Sequence, residues 1–316
     1  MRGVQFIFKF PNFQIFILKL ITILRAARLR TLPLSASGII MGSALAYRAG
    51  YFDGSIFALA LLTTIFFQIL SNFANDYGDG VKGTDNEHRV GPQRAIQSGI
   101  ISRAEMKRII WVMSVLSVLS ALSLIWLSFG WEQVGYVLLF VALAGASIAA
   151  AIKYTVGKSA YGYRGLGDLF VFIFFGLLSV LGSYFLYIHQ LHWRLLLPAV
   201  AVGFLSVGVL NLNNMRDYEN DKAVGKNTLV VKLGMTLAKY YHYYLIVGAM
   251  VAMLFYSAVT LQIHWQLLYL LAFVPLSLHL LRVRNYKNLK LLDKELKIVA
   301  ISTFLMSILF FIGQIL

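Results

Sequence analysis

The chain has 316 residues, 59% of them hydrophobic and only 13% charged, with a mean hydropathy of +0.75. These values exclude an ordinary soluble domain and mark an integral membrane protein. The net charge of +15 is spread over loops, which argues against a nucleic-acid-binding face, and the absence of cysteine excludes disulfides and thiol chemistry.

The chain begins with a mixed segment in which Lys9, Pro11 and Lys19 interrupt an apolar run. It has no small-residue cleavage site, so residues 1–24 read as an interfacial helix on the cytoplasmic leaflet, with an additional span as the competing reading. Residues 25–316 then form a single transmembrane domain. Nine apolar stretches long enough to cross about 30 Å of hydrocarbon follow in order: 32–49, 55–75, 109–127, 134–152, 167–188, 195–214, 243–261, 265–281 and 298–316. None alternates with period two, so the expected fold is all-α, a polytopic bundle of nine transmembrane helices around a central cavity. Small residues in the first and fourth stretches, "SASGIIMGSA" and "AGASIAAA", are expected to permit close helix packing. With nine spans, 26 of the 28 Lys and Arg fall on one side and only Arg48 and Arg194 on the other. Positive loops stay inside, so the amino terminus is cytoplasmic and the carboxyl terminus is outside.

The acids follow the same asymmetry: of thirteen, only Asp53 and Glu132 lie opposite the positive loops. They gather twice, in "NFANDYGDGVKGTD" after the second stretch and "NLNNMRDYENDKAVGKNTL" after the sixth. Asn72 precedes Asp76 by four residues as Asn213 precedes Asp217, a weak internal repeat. On helices, Asp76 with Asp79, and Asp217 with Asp221, project from one face. Crowded carboxylates repel unless a cation sits between them, and hard oxygen donors suit Mg²⁺ shared with phosphate. The cations Lys82, Arg89, Arg94, Lys153, Lys158, Arg216, Lys222 and Lys226 can clamp the remaining phosphate oxygens. Capping and interfacial solvation explain an acid or two at a helix end, but not five at two matching depths. A diphosphate leaving group at the membrane surface fits better. A cation-coupled transporter is the reading from another class; it requires acids at mid-membrane and a polar outward side. His189 and His192 have metal-like spacing but stand beside Trp193 on the far side, as interfacial anchors do.

The two acidic motifs resemble those of the intramembrane aromatic prenyltransferase superfamily. Three further stretches, "RLRTLPLSASG" (28–38), "HRVGPQRAIQSGIIS" (88–102) and "YGYRGLGDLFVFIFFG" (161–176), resemble its 1,4-dihydroxy-2-naphthoate polyprenyltransferase branch in menaquinone synthesis. The resemblance implies that Asp76, Asp79, Asp217 and Asp221 are catalytic and hold Mg²⁺ against a polyprenyl diphosphate, beside Asn72. Asp85 lies two residues further from Asp79 than in the 4-hydroxybenzoate enzymes, so it is either a metal ligand or a loop cap. Arg94, Lys153 and Lys226 would bind the departing diphosphate. Arg164 would meet the acceptor carboxylate, flanked by Tyr161 and Tyr163 stacking on the bicyclic ring; the alternative is that Arg164 pairs with Asp168 and orders its loop. The implied reaction transfers the polyprenyl group to 1,4-dihydroxy-2-naphthoate with loss of the carboxylate, giving demethylmenaquinone, in the cytoplasmic (inner) membrane. Another aromatic acceptor such as 4-hydroxybenzoate is the alternative.

Overall fold

The computed structural model describes residues 11–86, 93–284 and 288–316; Lys9 and Arg89 lie outside them. All regular structure among the described residues is helical. Helix α1 (Pro11–Ala26) carries exposed Phe13, Phe16, Leu20 and Leu24 and touches α4 through an ion pair of Lys19 with Glu105. The helices that follow are α2 (Leu32–Arg48), α3 (Gly54–Lys82), α4 (Arg103–Phe129) and α5 (Val134–Lys153). Next, α6 (Gly167–Val171), a π-helical segment (Phe172–Gly182) and α7 (Ser183–Ile188) run on as one apolar stretch of 22 residues. Then come α8 (Leu196–Arg216), the short α9 (Tyr218–Ala223), α10 (Leu229–Val259), α11 (Phe273–Arg284) and α12 (Leu292–Ile315).

Eight of the nine expected stretches form helices long and apolar enough to cross a membrane among the described residues. The first, α2, is shorter at 17 residues and largely buried. It packs on α3, α12 and the π segment, while α8 packs on α10, α12 and the π segment, so α2, α8 and α12 form the spine. Glycine makes the α2 contact possible: a Cβ on Gly38 or Gly42 would fall 1.9 Å from the hydroxyl oxygen of Ser179 or Ser183 respectively. The small residues of α5 behave differently. A Cβ on Gly145 would meet nothing within 4 Å, and Ala144, Ser147, Ala150 and Ala151 line a cavity instead of a helix seam.

Two departures from the expected boundaries place the site. The second stretch, expected to end at 75, stays helical to Lys82, so Asp76 and Asp79 are helical residues. The sixth ends at Arg216, and Asp217 (φ −95°, ψ 9°) is the joint between α8 and α9, not a residue within a helix. Asp221 remains one turn on, its N–H donating to the Asp217 carbonyl at 2.8 Å.

Candidate active site

A cavity of about 1070 Å³ runs into the bundle from the ends of α3 and α8. Its deep walls are apolar, with Phe67, Phe140, Phe174, Phe175, Leu178 and Ile125 among them, and the widened π segment contributes three of these. Its polar end carries Asp76, Asp79, Arg28, Arg94, Arg216 and Lys226.

Asp76 is 1% exposed and accepts from Arg28 Nη2 at 2.9 Å, Arg94 Nη1 at 2.8 Å and the Ala95 N–H at 3.2 Å. Asp79 accepts from the Tyr163 hydroxyl at 2.7 Å, and that hydroxyl also meets Thr84. Lys226 Nζ lies 3.7 Å from Asp79 and 3.9 Å from Asp221, so one ammonium joins the two motifs. Burial alone would lower the pKa of Lys226, but Asp79, Asp221, Asp217 and Asp85 outweigh it and hold the pKa above the ordinary lysine value. Burial and the Asp79 charge push the Tyr163 phenol well above the usual tyrosine range, so it stays a donor. Lys82 covers the Tyr163 ring, its Nζ 3.9 Å from the centroid. Asp217 is gripped by Arg216, with Nε donating at 2.9 Å and Nη2 at 2.7 Å, and Arg216 also donates to Asn213 and to Asp293. Asp85 lies 3.6 Å from Arg94 Nε; like Asp217 and Asp221 it is not part of the cavity lining, although Asp221 reaches the lining residue Lys226.

Not every expected site residue reaches the cavity. Asn72 lines the cavity, but its amide donates to the Ala27 carbonyl at 2.8 Å, so it anchors the turn that carries Arg28. Lys153 and Arg164 are exposed and are not part of the cavity lining. Arg164 donates to Ser159 at 3.1 Å, whereas Asp168, its expected alternative partner, accepts from Tyr241. Tyr161 does reach the cavity, stacked on Phe170 at 3.9 Å between centroids. Lys158 and Lys222 are exposed. Arg28 was missing from the expected site, since it stands 48 residues before its partner Asp76. Asn75 and Asn213 were also missed, although their position beside the aspartates was a usable signal.

Among the described residues, no three acidic or histidine side chains stand together as a ready metal shell. The five expected aspartates are divided among cations, because carboxylates this close require positive charge between them. The donor chemistry nevertheless fits Mg²⁺: every acid at the polar end offers hard oxygen, and Asp79 and Asp221 from the two motifs already converge on one positive charge.

The chain is 47% identical over 249 residues to the 1,4-dihydroxy-2-naphthoate octaprenyltransferase of Escherichia coli (strain K12), covering 79% of this chain and 80% of that protein. It is 43% identical over 290 residues to the enzyme of the same name from Haemophilus influenzae (strain ATCC 51907 / DSM 11121 / KW20 / Rd), covering 91% and 93%. The fold is similar to that of a UbiA homolog from Archaeoglobus fulgidus solved bound to GPP and Mg²⁺, with a TM-score of 0.58 at 17% identity, covering 90% of this chain and 99% of that one. A structure described for digeranylgeranylglyceryl phosphate synthase matches with a TM-score of 0.59 at 18% identity, covering 94% and 99%. The profile of the UbiA prenyltransferase family matches residues 35–309, which contain both aspartate motifs and most of the cavity lining, and the chain belongs to that family.

Proposed function

We infer that this protein transfers a polyprenyl group from polyprenyl diphosphate to 1,4-dihydroxy-2-naphthoate, releasing diphosphate and CO₂ and giving demethylmenaquinone in its quinol form. The observation that carries this reading is a cavity with aromatic walls and one charged end, where Asp79 and Asp221 of separate motifs flank Lys226. Relatives at 47% and 43% identity bearing the naphthoate enzyme's name support the choice of acceptor.

Arg28, Arg94 and Lys226 bind the diphosphate and take up its charge as the allylic C–O bond breaks with both electrons leaving on oxygen. Asp76, Asp79, Asp217 and Asp221 would hold Mg²⁺, with Asp85 as a further candidate. When bound, that ion supplies charge neutralisation for the phosphate oxygens. Tyr163 keeps the Asp79 carboxylate oriented. The aromatic walls exclude water from the allylic cation and offer it π faces. An electron-rich ring carbon then attacks the allylic carbon, and loss of the carboxylate as CO₂ restores aromaticity. The exposed Lys153 and Arg164 have no part in this scheme. The site faces the cytoplasm of the inner membrane, because its end of the bundle carries the positive loops. The exposed apolar side chains of α1 suit a helix lying on that leaflet.

Incubating purified protein with Mg²⁺, a radiolabelled polyprenyl diphosphate and either 1,4-dihydroxy-2-naphthoate or 4-hydroxybenzoate tests the reading. Prenylated naphthoate that disappears with EDTA is the expected result. Product from 4-hydroxybenzoate alone overturns the acceptor.

A further inference from the structure

The turn before α2 and the first turn of α12 are far apart in sequence, yet they meet at the charged end of the cavity. Arg28 on that turn donates to Asp76 of the first motif at 2.9 Å. Two residues on, Arg30 Nη1 lies 3.6 Å from Asp293 Oδ2, and the other Asp293 oxygen accepts from Arg216 Nη1 at 2.8 Å. Arg216 in turn grips Asp217 of the second motif through Nε and Nη2. The link runs from motif to motif: Asp76 to Arg28, then along the backbone of the turn to Arg30, and on through Asp293 and Arg216 to Asp217.

We propose that Asp293, with Arg30, is a strut that sets the two aspartate motifs relative to each other, making Asp293 a positioning residue for the diphosphate end of the cavity. Three observations carry this. First, Arg216 is 2% exposed, so its orientation depends on its acceptors, and Asp293 is the one supplied by a distant helix. Without that acceptor a buried guanidinium must turn elsewhere, and Asp217 turns with it. Second, Arg28 has a left-handed backbone (φ 50°, ψ 55°), a conformation unfavourable to a residue with a Cβ. That turn is held by Asn72 donating to the Ala27 carbonyl, and by the Thr31 N–H and hydroxyl donating to the Arg28 carbonyl at 2.8 and 2.9 Å. Third, the helix dipole favours any acid in the first turn of α12, which accounts equally for Asp293 and Glu295. Glu295, however, goes to His279 and Arg282 at 2.7 and 2.6 Å, while Asp293 alone of the two reaches Arg216, with Lys297 3.9 Å away on its outer side.

The inference rests on the proposed prenyl transfer, and the test separates the two. Full-length wild type, Asp293→Asn, Asp293→Glu and Arg30→Gln are compared for steady-state constants toward each substrate. Their thermal stabilisation by Mg²⁺ and polyprenyl diphosphate without acceptor is measured in parallel. Asp293→Asn should lower kcat/KM for the diphosphate substrate about tenfold or more while KM for the naphthoate stays within about twofold. It should also shrink the ligand-induced thermal shift, and Asp293→Glu should restore most of both. The double variant Arg30→Gln/Asp293→Asn should be scarcely worse than Asp293→Asn, since both break one chain of contacts. Equal weakening toward both substrates, an additive double variant, or no recovery in Asp293→Glu overturns the strut. If Asp293→Asn fails to fold, Arg30→Gln at the more exposed end carries the same comparison: an unchanged diphosphate KM and thermal shift overturn the proposal. Wild type that binds the diphosphate but prenylates no naphthoate refutes the acceptor reading and leaves the strut to be decided by the thermal shift.

Discussion

At the scale of single residues, charge pairing decides which aspartates matter most. Asp76 is almost fully buried between Arg28 and Arg94, so Asp76→Asn leaves two guanidinium groups facing a neutral amide. Steady-state assay should show kcat for Asp76→Asn and for Asp79→Asn each falling by about 10²–10³, the scale of losing a preorganised electrostatic group. Asp76→Asn should also lower the melting temperature, because breaking a buried pair costs about 3 kcal/mol or more. Asp85 lies off the cavity lining but its side chain is buried 3.6 Å from Arg94, so Asp85→Asn should lower the melting temperature while kcat falls less than for Asp76→Asn or Asp79→Asn in the same assay. Tyr163→Phe removes one charge-assisted hydrogen bond to Asp79, worth about 1.5–3 kcal/mol, so kcat/KM should fall roughly tenfold or more. The phenol is shifted upward, so its protonated donor form persists as pH rises. A pH profile of the wild type should therefore show no alkaline loss from Tyr163 below the ordinary tyrosine value of about 10.

At the scale of elements, the departures from periodicity have packing causes. Apolar character in the second stretch ends near residue 75, but α3 continues because Arg28, Arg94, Tyr163 and Lys226 neutralise or bind the acids of its last turns. The π segment is a close contact as well as a cavity wall. A Cβ on Gly176 would lie 2.5 Å from Gly203 Cα and 2.9 Å from the Ala199 carbonyl, both on the α8 backbone. Gly176→Val should therefore lose about 1–3 kcal/mol or more through overpacking, read as a lower melting temperature and less monodisperse protein. Gly145→Ala, where a Cβ meets nothing within 4 Å, is the control and should be neutral.

At the scale of the molecule, orientation follows from the loops. The chain has no cysteine, so single cysteines report cleanly. With an impermeant thiol reagent on sealed vesicles, Lys158→Cys should label only from the cytoplasmic side and Gln190→Cys only from the other; both positions are exposed. Reversed labelling would invert the orientation and put the charged end of the cavity outside.

Much of this protein is legible along the chain, because the features concerned are local. Hydropathy over about twenty residues reports a span, and two clusters of Asp and Asn announce a phosphate chemistry without any fold. The clusters point to Asp76, Asp79 and Asp221 and the resemblance to Arg94, Lys226 and Tyr161; all but Asp221 line the cavity, and Asp221 lies 3.9 Å from Lys226. Only the tertiary structure decided which cations join them. Arg28, at the end of a basic amphipathic segment, looked like part of the topology signal until folding brought it against Asp76. The resemblance implies an acceptor role for Arg164 within "YGYRGLGD", whereas its side chain donates to Ser159 and is not part of the cavity lining. Asp293 had no sequence signature beyond a helix start, and its contact with Arg216 exists because α12 packs against α8. Composition and spacing determine where charge can leave the membrane; long-range pairing determines which charges meet, since an ion pair depends on distance in space and not along the chain.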